Sequence, residues 1–202
     1  MKKLRNSNIR FRESAVRQIT TQIGVYALSD LDDVPIYVGQ TVAVKERGIR
    51  GRVQRHLTSA RSDMIANRQL DVWEIAFVRV WPETDKAQIN ALESGLFHQW
   101  DPKSTLMNGR IPPAPPNDFQ IPNPVQCIQV IDDAEIALRK TPSLRLPRQA
   151  EHYGQMVSHY LTVKDSREIV RSMRAHFERL MRYHGLLLKE AGAEIVGREN
   201  GD

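Results

Sequence analysis

The chain reads as an α+β protein: a small three-stranded antiparallel sheet flanked by helices, then a proline-rich linker and a C-terminal helical extension. Three observations lead there. Two short β-prone runs face each other across an Asp-rich turn. A later stretch alternates apolar and polar residues with the period of a strand. Stretches of helical period lie between and after these runs.

Residues 1–19 form a basic N-terminal arm, with Lys2, Lys3, Arg5, Arg10, Arg12 and Arg17 against Glu13 alone. Residues 23–29 predict a first strand and 34–39 a second. Asp30, Leu31, Asp32 and Asp33 supply turn chemistry for a hairpin, and Pro35 is acceptable near the start of an edge strand. Residues 49–61 predict a helix that buries Ile49, Val53 and Leu57. Residues 70–81 alternate through Val72, Glu74, Ala76, Val78 and Val80 and predict the third strand. A helix follows at 85–100, where Asp85 and Gln88 are spaced as a capping box. These elements make a domain over 20–110.

Prolines 112, 113, 115, 116, 122, 124, 142 and 147 then mark 111–148 as a linker that wraps over the first domain, with a short element at 125–139. The helical extension, 149–192, contains helices at 149–163 and 165–191, the second opened by an Asp165/Glu168 capping box. Residues 193–202 are a tail. Ile169, Val170, Met173, Phe177, Leu180, Met181 and Leu188 give the last helix a broad apolar face. Arg167, Arg171, Arg174 and Arg182 form a row beside that face. The face suits either its own domain or a second copy of the chain, and the row suits phosphates.

The 202 residues are 41% hydrophobic, enough for a core, yet no run approaches the ~18 apolar residues of a membrane span. The basic start is followed by no apolar stretch of signal-peptide length, so neither secretion nor a membrane is expected. Cys127 is the single cysteine, which excludes an intramolecular disulfide and a cysteine-rich zinc site, and suits a reducing cytoplasm. The net charge of +5 is concentrated. Besides the arm, residues 41–61 carry Lys45, Arg47, Arg50, Arg52, Arg55 and Arg61 against Glu46 alone. Such clusters attract polyphosphate backbones, although each is also consistent with a solvated basic face.

Individual residues point to chemistry only weakly. Glu93 lies on or beside the apolar stripe of Ile89, Leu92, Leu96 and Trp100, so its carboxylate must pair, protonate or hold a metal. Arg52 and His56 share one face of their helix beside the buried row. Tyr26 and Tyr37 stand on the two hairpin strands, where tyrosines usually pack. His152 and His159 share a helix face with no nearby carboxylate or cysteine pattern. Asp132 and Asp133 read as a helix cap. Trp73, Trp81 and Trp100 read as core or sheet-edge residues.

Taken in order, these residues form a pattern. Gly24-Val25-Tyr26, ten further residues and Tyr37-Val38-Gly39 resemble the GIY-YIG nuclease signature. Ile49 to Leu57, with Arg52 and His56, resembles that family's first-helix motif. Ala91-Leu92-Glu93 resembles its metal-binding glutamate, and Leu106-Met107-Asn108 its terminal asparagine. Twelve residues separate Gly39 from Arg52, more than the family usually has, so Arg50 and Arg55 remain alternatives for the catalytic arginine. The segment from Trp100 to Thr105 is also slightly longer than in compact members.

The resemblance covers about 20–110. It implies a GIY-YIG-type sheet and a metal-dependent DNA endonuclease, restriction-type and site-specific on double-stranded DNA, acting as a homodimer. Mg²⁺ or Mn²⁺ would sit on Glu93, Arg52 would neutralise the phosphate, and Tyr26 would activate water. His56 and Tyr37 would share the proton relay, with the choice between the two tyrosines open. Asn108 would anchor the glutamate helix or a phosphate. Lys45, Arg47, Arg50 and Arg55 would touch DNA. A homing or repair nuclease, a catalytically silent DNA-binding module and an RNA-acting toxin or regulator are the competing readings.

Overall fold

The computed structural model describes residues 2–43, 47–58, 70–162, 167–190 and 192. Among these the elements run α1 (Lys2–Gln18), β1 (Gly24–Ser29), β2 (Pro35–Thr41), α2 (Gly48–Leu57), β3 (Phe77–Pro82), α3 (Lys86–Trp100), β4 (Gln126–Gln129), α4 (Asp133–Arg139), α5 (Pro142–Thr162) and α6 (Arg167–Glu190). The fold is α+β. The sheet is wholly antiparallel with four strands in the order β2-β1-β3-β4, not the three expected. No described helix is long and apolar enough to cross a membrane.

The hairpin forms where its turn chemistry places it. Asp30 Oδ1 accepts the backbone N–H groups of Asp32 and Val34, at 2.9 and 3.0 Å, and closes the turn. β1 is buried along its whole length, because β2 and β3 flank it and helices cover both faces. Alternation then sorts the side chains. Tyr26, Leu28, Val78 and Val80 join Ile19 of the α1 end and Ile49 and Val53 of α2 on one face. Val25, Ala27, Val38 and Trp81 join Ile89, Leu92, Leu96 and Phe97 of α3 on the other.

Three expectations need correction, and the basic arm gains an element. The third strand begins at Phe77, not at residue 70. Asp71 makes a turn there, its carboxylate accepting from Trp73 N–H at 3.0 Å and its carbonyl from Glu74 N–H at 3.0 Å. The fourth strand comes from the proline-rich segment, as Gln126–Gln129 pairs with Val80–Phe77. The basic arm is helical, and its end packs Ala15, Val16 and Ile19 into the core. The cap of α3 is Asp85 accepting from Ala87 N–H at 2.8 Å, while Glu83, not Gln88, takes the Asp85 N–H at 2.9 Å. The Asp165 part of the proposed capping box and the 193–202 tail lie outside the described residues.

The C-terminal helices lie against the sheet domain through polar contacts. Arg179 donates to the carbonyls of Thr105 and Pro35, Arg171 to Asp101 and to the Asn108 carbonyl, and Arg182 to Asp30. Two members of the expected phosphate-facing row, Arg171 and Arg182, therefore already hold internal partners. Ile169, Ala175 and Tyr183 are buried, while Val170, Phe177 and Met181 stay exposed.

On α5, Arg145 is buried. It grips Glu74 with two donors (3.1 and 2.7 Å), Asp32 at 2.7 Å and the Tyr183 hydroxyl at 2.8 Å. Gln149 donates to both Asp71 and Glu74 beside it. Burial pushes the Glu74 carboxyl up to about 7, with Arg145 opposing that rise and Asp71 and Asp30 adding to it.

Candidate active site

β2 is an edge strand, so side chains from both faces of the sheet can meet around it. Tyr37 projects to the α2 face and Gln40 to the α3 face. Tyr37, Glu93 and Asn108 line one cleft of about 410 Å³, together with Gly109, Arg110, Pro112 and Glu168. Three of the six residues proposed for chemistry thus share a concave surface.

Tyr26 and His56 lie behind it. The Tyr26 hydroxyl is 2.7 Å from His56 Nε2, and both residues are buried. The ring of Tyr37 sits 5.0 Å from that of His56 and 6.2 Å from that of Tyr26, completing a three-ring cluster. Gly39 is what lets Tyr26 lie there. A Cβ at position 39 would stand 2.7 Å from the Tyr26 hydroxyl and 2.8 Å from Tyr37 Cε1. The motif's second glycine is therefore a steric requirement of its first tyrosine.

His56 is presented by α2, whose start depends on Gly48. That residue has φ +54, and a Cβ there would stand 2.1 Å and 2.3 Å from the carbonyl oxygens of Thr21 and Gln22. The first amides of α2 are satisfied there, Ile49 N–H by Gln22 O at 2.9 Å and Arg50 N–H by Thr20 O at 3.1 Å. Arg52, half-buried, precedes His56 by one turn on the same side of the helix.

Glu93 is half-buried on α3. Burial raises its carboxyl above the ordinary range, and a hydrogen bond from Gln40 pulls the other way. Gln40 Nε2 donates to Glu93 Oε2 at 2.7 Å and to Asn90 Oδ1 at 3.1 Å. Its other atom, Oε1, is buried with no hydrogen-bond partner among the described residues. Sequence reasoning missed Gln40. Its only signal is position, one residue past Gly39 and hence on the opposite face.

Asn108 uses its whole amide on one residue of β2: Oδ1 accepts Val38 N–H at 3.1 Å and Nδ2 donates to Val38 O at 2.6 Å. It anchors the edge strand rather than the glutamate helix. Glu168 and Arg110, also missed, form an ion pair of 2.8 Å at the cleft. Lys45 lies outside the described residues, Arg47 and Arg50 line a different groove between α1 and α2, and Arg55 is half-buried on α2.

Among the described residues no three of His, Cys, Asp and Glu converge as a metal-ligand group. Of the two carboxylates at the cleft Glu168 is paired with Arg110, which leaves Glu93 for a cation, with the buried Gln40 amide oxygen on the side chain that bonds it. That donor set fits Mg²⁺ or Mn²⁺, hard ions of which Mg²⁺ commonly keeps several waters and takes one or two protein carboxylates. In the C-terminal helices His152 stacks on His176, with ring centroids 4.6 Å apart, and Asp132 caps α4 through Glu135 N–H. Comparison with family models, with curated proteins and with solved structures finds no match for this chain.

Proposed function

We propose that this chain is a divalent-metal-dependent endonuclease of GIY-YIG type that hydrolyses the phosphodiester backbone of double-stranded DNA. The observation that supports it best is the shared cleft of Tyr37, Glu93 and Asn108 with the Tyr26–His56 pair directly behind it. Glu93, assisted by the Gln40 amide oxygen, would hold Mg²⁺ or Mn²⁺. The ion would supply charge stabilisation at the phosphate and at the leaving oxygen.

The chain's own groups divide the remaining work. Arg52 brings a fork of donors to the non-bridging oxygens. Tyr37 borders the cleft and Tyr26 is buried, so Tyr37 is the hydroxyl that meets water or phosphate. Tyr26 and His56 form the proton store behind it, with one proton held between the Tyr26 hydroxyl and His56 Nε2. Asn108 positions β2 and does no chemistry. Cutting both strands calls for two such clefts, so a pair of chains at a short palindromic site is the restriction-type form of this reading.

Incubating the full chain with supercoiled plasmid and Mg²⁺, then mapping the ends, tests the proposal. Nicked or linear product is expected, with Glu93→Gln inactive yet still bound to DNA. Cleavage by Glu93→Gln near the wild-type rate would remove Glu93 from the metal site. No cleavage of plasmid with Mg²⁺ or Mn²⁺ would remove the nuclease reading.

A further inference from the structure

A second concavity, about 500 Å³, lies between α1 and α2 and is lined by Arg12, Arg17, Arg47 and Arg50, with Glu13 the single carboxylate among its residues. Among the described residues none of the four arginines closes an ion pair with an acid. Arg50 is held by its Nε, which donates to the Ile19 carbonyl at 2.6 Å, a contact that leaves its charge uncompensated. Arg12 is largely desolvated and also feels Arg139, so burial first and that neighbour second lower its pKa to about 10, with Glu135 partly offsetting them. Among the described residues the groove therefore gathers four positive charges against one carboxylate.

The first amides of α2 are already taken by the 20–22 loop, so the guanidinium groups are the donors on offer here. Arg47, Arg50 and Gln54 occupy one side of α2, and Arg52 and His56 the other. The groove therefore opens on the side of α2 away from Arg52 and His56, the two residues of that helix assigned to the chemistry. One small anion would not neutralise four cations. A polymer with a charge every ~1.7 Å of its axis would.

We infer that the α1–α2 groove is a second binding site, taking the phosphodiester backbone of the duplex that runs on from the cleft. The identity of the polyanion as DNA rests on the nuclease reading; the groove's preference for a backbone does not. Contacts of this kind fix the register of the duplex and carry no sequence information.

The test is binding of a fluorescent DNA duplex to the full chain, followed by anisotropy across a salt series without divalent metal. Arg17→Ala/Arg47→Ala changes two exposed side chains, which spares the fold; Arg12→Ala is added in a second variant. Each lost phosphate contact lowers the slope of log K against log salt by about 0.9, so the double variant should lose nearly two and bind at least ~10-fold more weakly at low salt. Arg174→Ala, exposed on α6 and paired with Glu178, should leave the slope unchanged.

An unchanged slope in both groove variants overturns the inference, as does an equal fall in Arg174→Ala. Competition by duplex RNA as effective as that by duplex DNA overturns the assignment to DNA. The two proposals fail separately. A chain that cuts plasmid but binds duplex independently of the groove keeps the nuclease reading and loses the groove. One that binds through the groove and never cuts does the reverse.

Discussion

Replacing Arg145 by methionine tests what holds the C-terminal helices to the sheet domain. The guanidinium is 3% exposed and makes four hydrogen bonds, two to Glu74, one to Asp32 and one to Tyr183, with its carbon 3.7 Å from the centre of the Tyr183 ring. Methionine keeps much of the volume and none of the donors. Asp32 retains Lys140 at 2.9 Å, but Glu74 is left buried with only Gln149. Removing one partner of a buried pair costs about 3–5 kcal/mol, against a total stability of roughly 5–15. With a urea m-value of about 2 kcal/mol/M, the midpoint should fall by about 2 M.

The loss should depend on pH. Glu74 already has a folded pKa raised to about 7 by burial, from 4.5 when unfolded. A raised carboxyl gives stability that is present below the unfolded value and lost as pH rises through the folded one. Without Arg145 to oppose it, the folded value climbs further, so the variant's deficit is larger at pH 8 than at pH 5.5. Adding Glu74→Leu should return most of the stability, because apolar residues of similar volume often replace a buried pair at little cost. A loss under ~1 kcal/mol, equal losses at both pH values, or no recovery in the double variant would refute this account of the interface.

Two predictions concern the chemistry. Arg52→Ala should lower the plasmid-cleavage rate at least ~10²-fold, the usual loss of one transition-state charge contact, and Arg50→Ala and Arg55→Ala far less; a larger rate effect at Arg50 or Arg55 would transfer the catalytic role. Tyr37→Phe should cost more in kcat than Tyr26→Phe, and Tyr26→Phe should also alter the pH profile because it removes the partner of His56; the opposite order would make Tyr26 the residue that meets the substrate.

What was legible in the sequence is what depends on neighbours along the chain. The Asp30–Asp33 turn, the Tyr26/Tyr37 hairpin and the buried row Ile49, Val53 and Leu57 follow from local turn chemistry and period. The start of β3 was misplaced because an alternating pattern also describes a turn whose acids face inward. Glu74 falls in the same alternate row as the buried Val78 and Val80, yet what it meets is Arg145, 71 residues away. The short element expected at 125–139 is a four-residue strand followed by α4, and only the waiting edge of β3 makes its first part a strand. Arg171 and Arg182 resemble a solvent row on a helical wheel, and only Asp101 and Asp30, distant in sequence, turn them inward. Gln40 carried no signature because its importance comes from Glu93, 53 residues on.

The clasp of Asn108 on Val38 has a meaning for assembly as well as for the cleft. β2 borders the sheet, and a bare border invites strands from other molecules to add to it. Here an asparagine amide imitates a peptide group on that border, and Met107 N–H donates to the Ile36 carbonyl beside it at 2.7 Å. Part of the row a foreign strand would need is thus already occupied. Stripping the amide from position 108 uncovers adhesive backbone in the same stroke that loosens the cleft, so an Asn108 variant that precipitates has lost a guard against self-templating, whatever has become of its turnover.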